Sequence, residues 1–223
     1  MSGKLIVVDG LDGSGKSTQT DRLAARMQET GHAIKLISFP DYAEPSSALV
    51  KMYLNGELSD DPSAINAYAA SSFYAVDRYA SYQRHWKDTY LSGGIVLASR
   101  YVTSNMIHQM VKLPRSEWSG FIDWLKDYEY NKLQLPQPNK VIFLDMPRDV
   151  ADRLLLKRYA GDGEKEDIHE RNKTYLAQCR EAALYAAEAE DWSIVRCARG
   201  DEPLPVEEIG ERLWQEILPV LEQ

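Results

Sequence analysis

Short apolar runs alternate with longer amphipathic stretches along this chain. Three runs, at residues 5–8, 95–98 and 141–144, each hold four consecutive apolar residues between polar or glycine neighbours. An apolar run without polar alternation is typical of a strand that is buried on both faces, as in a parallel sheet. Residues 33–39 and 192–195 form weaker apolar runs and predict two further strands.

Stretches with helical spacing separate these strands. They cover residues 17–30, 63–91, 116–132, 150–159, 170–190 and 206–221. Strands that alternate with helices indicate an α/β fold built from βαβ units around one parallel sheet. Residues 159–167 are polar, contain two glycines and predict a loop. The length of 223 residues, without repeats or linkers, predicts a single domain spanning 1–223.

Charge and composition exclude several classes of protein. The chain has 26 Lys and Arg against 34 Asp and Glu, a net charge of −8, which disfavours nucleic acids and membrane surfaces as partners. The two cysteines, Cys179 and Cys197, have no metal-ligand spacing. No apolar run approaches the roughly 18 residues of a membrane span. We therefore expect a cytoplasmic protein.

The segment Gly10-Leu11-Asp12-Gly13-Ser14-Gly15-Lys16-Ser17 carries the strongest functional signal. It matches the phosphate-loop pattern G-x-x-x-x-G-K-[ST], with an apolar run before it and a helical stretch after it. Glycines allow backbone N–H groups to surround an anion, and the helix N-terminus adds partial positive charge. The pattern predicts that Lys16 reaches the β- and γ-phosphates of ATP and that the Ser17 hydroxyl ligates Mg²⁺.

Several further segments make the chain resemble the thymidylate kinase family. In chain order they are Lys16-Ser17-Thr18-Gln19, Phe39-Pro40, Phe73-Tyr74-Ala75-Val76-Asp77-Arg78-Tyr79, Arg100-Tyr101-Val102-Thr103-Ser104-Asn105 and Leu135-Pro136-Gln137-Pro138-Asn139. The resemblance implies a P-loop kinase fold, with a five-stranded parallel sheet, helices on both faces and a short lid at about 153–168. It also implies a homodimer that converts ATP and dTMP, with Mg²⁺, into ADP and dTDP for dTTP supply.

The same resemblance assigns roles to individual residues. Lys16, Ser17 and Thr18 are expected to hold the ATP phosphates and the metal. Arg100 is expected to hold the acceptor phosphate, and Asp12 to contact the deoxyribose 3′-hydroxyl.

The expected acceptor pocket includes a base-binding part. Phe73 would stack on thymine, Arg78 would donate to a thymine carbonyl, Asn105 would read the base edge and Tyr101 would pack beside the sugar. The remaining expected acceptor-site residues are Phe39, Pro40, Tyr42, Ser104 and His108. From the residues alone, core packing of Phe73 and a solvated helix face for Arg78 remain open alternatives.

Four positions depart from the family pattern. Ser99 stands where an Asp usually precedes Arg100, and Tyr42 stands where many members have an Arg aimed at the acceptor phosphate. His108 stands where some members carry a Tyr near the 2′ position of the sugar. Gly13 stands where some members carry a catalytic Arg, and members with Gly there supply this charge from the lid.

The lid is therefore expected to contribute a catalytic Arg. Arg158 is the first candidate and Arg153 the second, with Lys157 and Lys165 nearby. An Arg that reaches the transferred phosphoryl group contributes ~10³ or more to the rate in other phosphoryl-transfer systems.

Two alternative functions remain open at this stage. One is a related deoxynucleotide or deoxynucleoside kinase with altered acceptor choice, suggested by Tyr42, Ser99 and His108. The other is a P-loop nucleotide-binding regulatory protein without kinase activity. A GTPase would also carry an Asn-Lys-x-Asp segment, whereas Asn139-Lys140 is followed by Val141-Ile142.

Overall fold

Five parallel strands form the central sheet of the computed structural model, which describes residues 3–59, 61, 64–159 and 173–222. The strands are β1 (Lys4–Gly10), β2 (Ile34–Ser38), β3 (Ile95–Ser99), β4 (Lys140–Asp145) and β5 (Ser193–Arg196). Their order in the sheet is β2-β3-β1-β4-β5. All five sequence-predicted strands are confirmed, as is the α/β class.

The central strand β1 shows why its sequence contains no polar alternation. Leu5 and Val7 lie in the core on one face of the sheet, and Ile6 and Val8 lie in the core on the other. All four side chains are inaccessible to water. Both faces of this strand are therefore covered by helices.

Nine α-helices are assigned in the described residues. They are α1 (Lys16–Glu29), α2 (Ala48–Leu54), α3 (Ala67–Ser81), α4 (Lys87–Leu91), α5 (Val102–His108), α6 (Trp118–Lys126), α7 (Arg148–Tyr159), α8 (Lys173–Ala189) and α9 (Val206–Leu221). Helices α1, α7 and α9 cover one face of the sheet, and α5, α6 and α8 pack on the other face together with the ends of α3.

The structure adds detail that the apolar pattern did not predict. Helices α2 and α5 have only seven residues each, which is too short for a clear period. The predicted helix at 63–91 contains a π-helical turn, Tyr82–Trp86, between α3 and α4, and a second such turn, Asp127–Lys132, follows α6. Strands β6 (Ala198–Arg199) and β7 (Glu202–Pro203) form a small antiparallel hairpin.

Two predicted segments fall partly outside the described residues. They are the start of the predicted helix at 170–190 and the predicted loop after Tyr159. Among the helices that are described, none is both long and apolar enough to cross a bilayer.

Candidate active site

The turn between β1 and α1 is shaped to hold an anion. Gly13 and Gly15 have φ values of +79° and +81°, which L side chains rarely adopt, and α1 begins at Lys16. No acidic residue lies in the first turn of α1, where Ser17 and Thr18 are exposed. The first N–H groups of a helix have no partner within it, so this turn attracts a phosphate. The predicted strand–loop–helix context is confirmed.

Gly13 also lies against α7. A Cβ atom at Gly13 would be 2.7 Å from the backbone oxygen of Ala151. No side chain fits there without moving α7, so an Arg at this loop position is sterically excluded. This packing agrees with the expectation that a catalytic positive charge must come from elsewhere.

Arg100 follows the carboxyl end of β3 and reaches the phosphate loop. Its φ of +65° is unusual for a non-glycine residue, and its N–H donates to the Val8 oxygen at 3.0 Å. The Nη2 atom donates to Asp12 Oδ1 at 2.6 Å, and Nη1 donates to His108 Nε2 at 3.0 Å. Because a guanidinium only donates, this nitrogen of His108 must be an acceptor. Backbone strain of this kind concentrates at functional sites.

Carboxylates keep Arg100 charged in its pocket. Its side chain is 17% exposed, and Asp9 Oδ1 lies 4.0 Å from Nη1. Burial lowers the pKa of Arg100, but the charges of Asp12 and Asp9 more than offset this, so the pKa is raised. Arg100 is therefore a fixed positive charge between the ends of β1 and β3.

Asp9 was not singled out from the sequence. It is the last buried polar residue of β1, with no exposed surface. Its Oδ2 accepts hydrogen bonds from Thr103 Oγ1 at 2.6 Å and Ser104 Oγ at 2.7 Å, and its Oδ1 accepts from Gly10 N at 2.8 Å. Asp9 thus ties the start of α5 to the phosphate loop. The signal in the sequence was an acid placed directly between an apolar run and the glycine-rich loop.

The loop after β2 forms another wall of the site. Phe39 is buried and its N–H donates to the Ser99 oxygen at 3.0 Å, while the Phe39–Pro40 peptide bond is cis. Tyr42 is 52% exposed, and it adds a smaller contribution to the raised pKa of Arg100, which is due mainly to Asp12 and Asp9. The structure therefore places Tyr42 near Arg100.

Asp77 of α3 holds this loop and was also missed as a separate functional residue. Its two carboxylate oxygens accept from Asp41 N at 2.8 Å and from Ser46 Oγ at 2.7 Å. Burial raises the pKa of Asp77 more than these two hydrogen bonds lower it. The loop at 41–46 is thus anchored to a buried carboxylate.

Arg78 and Asn105 meet at a buried carboxylate. Arg78 Nε and Nη2 each donate to Glu129 at 2.6 Å, and Asn105 Nδ2 donates to Glu129 Oε1 at 3.3 Å. Arg78 is 1% exposed, Asn105 is 2% exposed and Glu129 is fully buried. The structure brings these two predicted base-reading residues together, through a partner that the sequence did not reveal.

Comparisons with known proteins show which family the chain belongs to. The family model "Thymidylate kinase" matches residues 8–207. The chain belongs to the thymidylate kinase family. It is 28% identical over 185 residues to a thymidylate kinase of Mycobacterium tuberculosis, covering 82% of this chain and 84% of the relative. It is 30% identical over 210 residues to one of Caenorhabditis elegans, covering 89% and 84%.

A solved structure supports the same fold. A thymidylate kinase structure from Candida albicans superposes with a TM-score of 0.68 at 22% identity, covering 98% of this chain and 92% of that one. The predicted P-loop kinase fold is confirmed.

The two aromatic side chains before Arg78 pack against one small core cluster. Phe73 is partly buried and packs against a small core cluster, with its ring 6.3 Å from the ring of Tyr53. Tyr74 packs against the same cluster, with its ring 6.4 Å from the ring of Tyr53. The pKa of Arg100 is raised mainly by Asp12 and Asp9, and Tyr74 makes a smaller contribution in the same direction. Of the two adjacent aromatics, Tyr74 is the one with a described interaction toward Arg100.

Tyr101 lies in the core rather than on an open surface. It is fully buried, its hydroxyl donates to the Pro136 oxygen at 3.0 Å, and its ring packs near Phe39 and Trp86. Burial raises its pKa well above the usual value. A direct contact with a sugar, as the resemblance implied, would require this core to open.

Of the two arginines that we predicted to be catalytic, only Arg153 has a described side chain. The guanidinium of Arg153 donates to the backbone oxygen of Asp201, in the turn between β6 and β7, and not to the phosphate loop. The side chain of Arg158, and residues 160–168 of the predicted lid with Lys165, lie outside the described residues.

Asp145, at the end of β4, is already paired. Arg180 of α8 donates to both of its oxygens, at 2.7 and 2.9 Å. The pair connects α8 to the end of β4 in the central sheet.

Proposed function

We propose that this chain transfers the γ-phosphoryl group of ATP to dTMP. The observation that carries the proposal is the 2.6 Å contact between Arg100 and Asp12, because it joins the acceptor-side arginine to the phosphate loop. A donor and an acceptor bound on either side of this contact would lie next to each other. Holding two reactants in line supplies much of the catalysis in phosphoryl transfer.

The donor side would be formed by the phosphate loop. Backbone N–H groups of residues 11–13 and 15, with the Lys16 ammonium, would surround the β- and γ-phosphates, because the N–H groups of Gly10 and Ser14 already donate within the protein. Ser17 and Thr18 are exposed on the first turn of α1 and face no acidic neighbour within that turn.

The residues present fit a Mg²⁺ ion that is held mainly by the nucleotide. Asp9 is fully buried and its oxygens accept three hydrogen bonds, and Asp12 pairs with Arg100. The exposed Ser17 hydroxyl therefore remains as an oxygen ligand at the start of α1. Mg²⁺ commonly keeps several waters and takes one or two protein ligands beside substrate phosphates. When bound, it would neutralise phosphate charge during transfer.

The acceptor side would extend from Arg100 toward α3 and α5. Arg100 would hold the dTMP phosphate, with Asp12, Tyr42 and His108 around it. Arg78 and Asn105 would face the base, and Phe73 or Tyr74 would supply the aromatic surface for stacking. The phosphate-binding and base-binding parts of this acceptor site would lie close together. Arg78 Nη1 donates to the backbone oxygen of Tyr101, the residue after Arg100, at 3.3 Å.

The reaction needs no acid or base with a shifted pKa. An oxygen of the dTMP phosphate, already ionised, attacks the γ-phosphorus of ATP, and the bond from that phosphorus to the β-phosphate oxygen breaks. The products are dTDP and ADP. Arg100 and Lys16 would neutralise charge on either side of the transferred group, and Arg158 or Arg153 would approach on lid closure.

An acceptor panel tests the proposal. ADP release is measured with Mg²⁺-ATP and dTMP, dUMP, dCMP, dGMP or thymidine. We expect the highest kcat/KM with dTMP. Preference for another acceptor would favour the alternative of a related kinase, and acceptor-independent, slow hydrolysis would favour a regulatory nucleotide-binding protein.

The same proposal includes a homodimer. Tyr68, Val76 and Tyr79 of α3 are between 38% and 48% exposed, which is a large apolar area for one helix. A mass near twice 25.4 kDa in size-exclusion chromatography with light scattering is expected, and a mass near 25.4 kDa would reject the dimer.

A further inference from the structure

Glu129 is a carboxylate buried without access to water. It lies in the π-helical turn that follows α6, and such turns are frequent at functional sites. Its only cationic partner in the ion pairs of the described residues is Arg78, which it binds with two parallel hydrogen bonds of 2.6 Å. Burial alone lowers the pKa of Arg78, and the charge of Glu129 reverses this, so the pKa is raised.

This arrangement determines which N–H groups of Arg78 remain available. A guanidinium has five N–H donors. Glu129 accepts from Nε and Nη2, and the Tyr101 oxygen accepts from Nη1. One hydrogen on each of Nη1 and Nη2 therefore has no partner among these three hydrogen bonds, and the plane of the group is held by the carboxylate.

Glu129 also determines the orientation of the Asn105 amide. The amide nitrogen donates to the Ser71 oxygen and to Glu129 Oε1, both at 3.3 Å. Neither partner can donate, so a flipped amide would place two acceptors against each other. Within the described residues, Asn105 Oδ1 accepts no hydrogen bond. It is also not one of the solvent-inaccessible polar atoms that lack a hydrogen-bond partner. The small exposed part of Asn105 therefore includes an acceptor.

We propose that Glu129 is the positioning residue that makes this kinase select thymine or uracil over cytosine. The inference rests on the proposed function, with Arg78 and Asn105 facing the base. Glu129 would not touch the nucleotide. It holds a donor edge on Arg78 beside an acceptor atom on Asn105.

The base chemistry matches this donor–acceptor order. Thymine and uracil present the O4 acceptor beside the N3–H donor, which complements Arg78 beside Asn105. Cytosine presents the N4–H donors beside the N3 acceptor, so both contacts would be reversed. A site built for a specific hydrogen-bond pattern discriminates strongly, because a mismatched ligand leaves buried polar groups unpaired.

The test is the substitution Glu129→Gln, which keeps the size of the side chain. A glutamine can donate to Asn105 Oδ1, so the amide is free to flip, and Arg78 is no longer held by a carboxylate. We expect the ratio of kcat/KM for dTMP to that for dCMP to fall at least fivefold. The ratio of dTMP to dUMP should stay within twofold, because these two bases share the same edge.

A matched control is Glu190→Gln. It removes another ion pair of the same region, in which Lys126 of α6 contacts Glu190 at 2.7 Å. This variant should keep the wild-type dTMP to dCMP ratio. A ratio of two kcat/KM values does not depend on the fraction of folded enzyme, so a loss of stability by itself cannot produce the expected result.

The outcomes separate this inference from the proposed function. If the wild type phosphorylates no pyrimidine monophosphate, the proposed function fails before any variant is measured. If the wild type prefers dTMP and Glu129→Gln changes the dTMP to dCMP ratio less than fivefold, only the role of Glu129 is rejected. Should Glu129→Gln not fold, Glu129→Asp keeps the charge but withdraws it from Asn105, and the same thresholds apply. If neither variant folds, Glu129 serves folding and the proposal is rejected.

Discussion

Replacement of Arg100 by methionine is the most direct test of how the two halves of the site are joined. Methionine fills a similar volume but removes the charge and the hydrogen bonds. A hydrogen bond to a charged group contributes about 1.5–3 kcal/mol, so loss of two bonds to an acceptor phosphate amounts to roughly 3–6 kcal/mol. At about 1.36 kcal/mol per factor of ten, kcat/KM for dTMP should fall by about 10²–10⁴.

The surroundings of Arg100 add to this effect. Without it, the carboxylates of Asp12 and Asp9 would remain beside the acceptor phosphate with no opposing charge from Arg100. Repulsion between like charges should therefore weaken dTMP binding further. Arg100→Lys keeps the charge but cannot form two parallel hydrogen bonds to a phosphate, so its kcat/KM for dTMP should lie between those of the wild type and Arg100→Met.

Steady-state kinetics with dTMP varied at saturating Mg²⁺-ATP measures the effect. The KM for ATP should change less than threefold, and circular dichroism should show a folded protein. Arg22→Ala is the matched control, because Arg22 is 50% exposed and makes only a 3.3 Å surface pair with Glu207. If Arg100→Met retains more than a tenth of the wild-type kcat/KM, the assignment of Arg100 to the acceptor phosphate is wrong.

Three further predictions concern the expected lid, the loop after β2 and a partly buried lysine. Arg158→Ala should lower kcat at least tenfold with little change in the Kd for ATP measured by calorimetry; an unchanged kcat would remove Arg158 from the catalytic residues. Asp77→Ala should raise the KM for dTMP more than it lowers kcat, because Asp41 and Ser46 lose their anchor; equal effects on both constants would contradict this. Burial lowers the pKa of Lys112 to about 8, so the unfolded chain binds more protons between about pH 8 and its ordinary value of 10.5, and stability should rise with pH across that range. The melting temperature of the wild type minus that of Lys112→Met should increase as the pH rises across that range, and a difference that does not change with pH would refute the shift.

Some parts of the site could be predicted because they depend on neighbouring residues. The phosphate loop is one continuous segment between an apolar run and a helix, and the structure places it there without change. Gly13 illustrates what was missing, since the sequence showed that no side chain is present but not that Ala151 lies where one would be.

Other parts could not be predicted because the partners are far apart along the chain. Arg78 and Glu129 are 51 residues apart, and Asp9 and Thr103 are 94 apart. Nothing local in the segment around Arg78 indicates whether its guanidinium meets solvent, a base or a carboxylate. Likewise, nothing in the sequence indicates that the adjacent residues Phe73 and Tyr74 both pack near the ring of Tyr53, which lies on a different helix.

The amino-acid sequence by itself determined the five strands, the longer helices and the phosphate loop, because apolar period and glycine spacing act over a few residues. Only the tertiary structure decided which polar groups satisfy one another inside the protein. A buried charge must find its counter-charge wherever packing brings one, so Glu129 became the partner of Arg78 through the docking of α6 and its π-helical turn near α3 and α5.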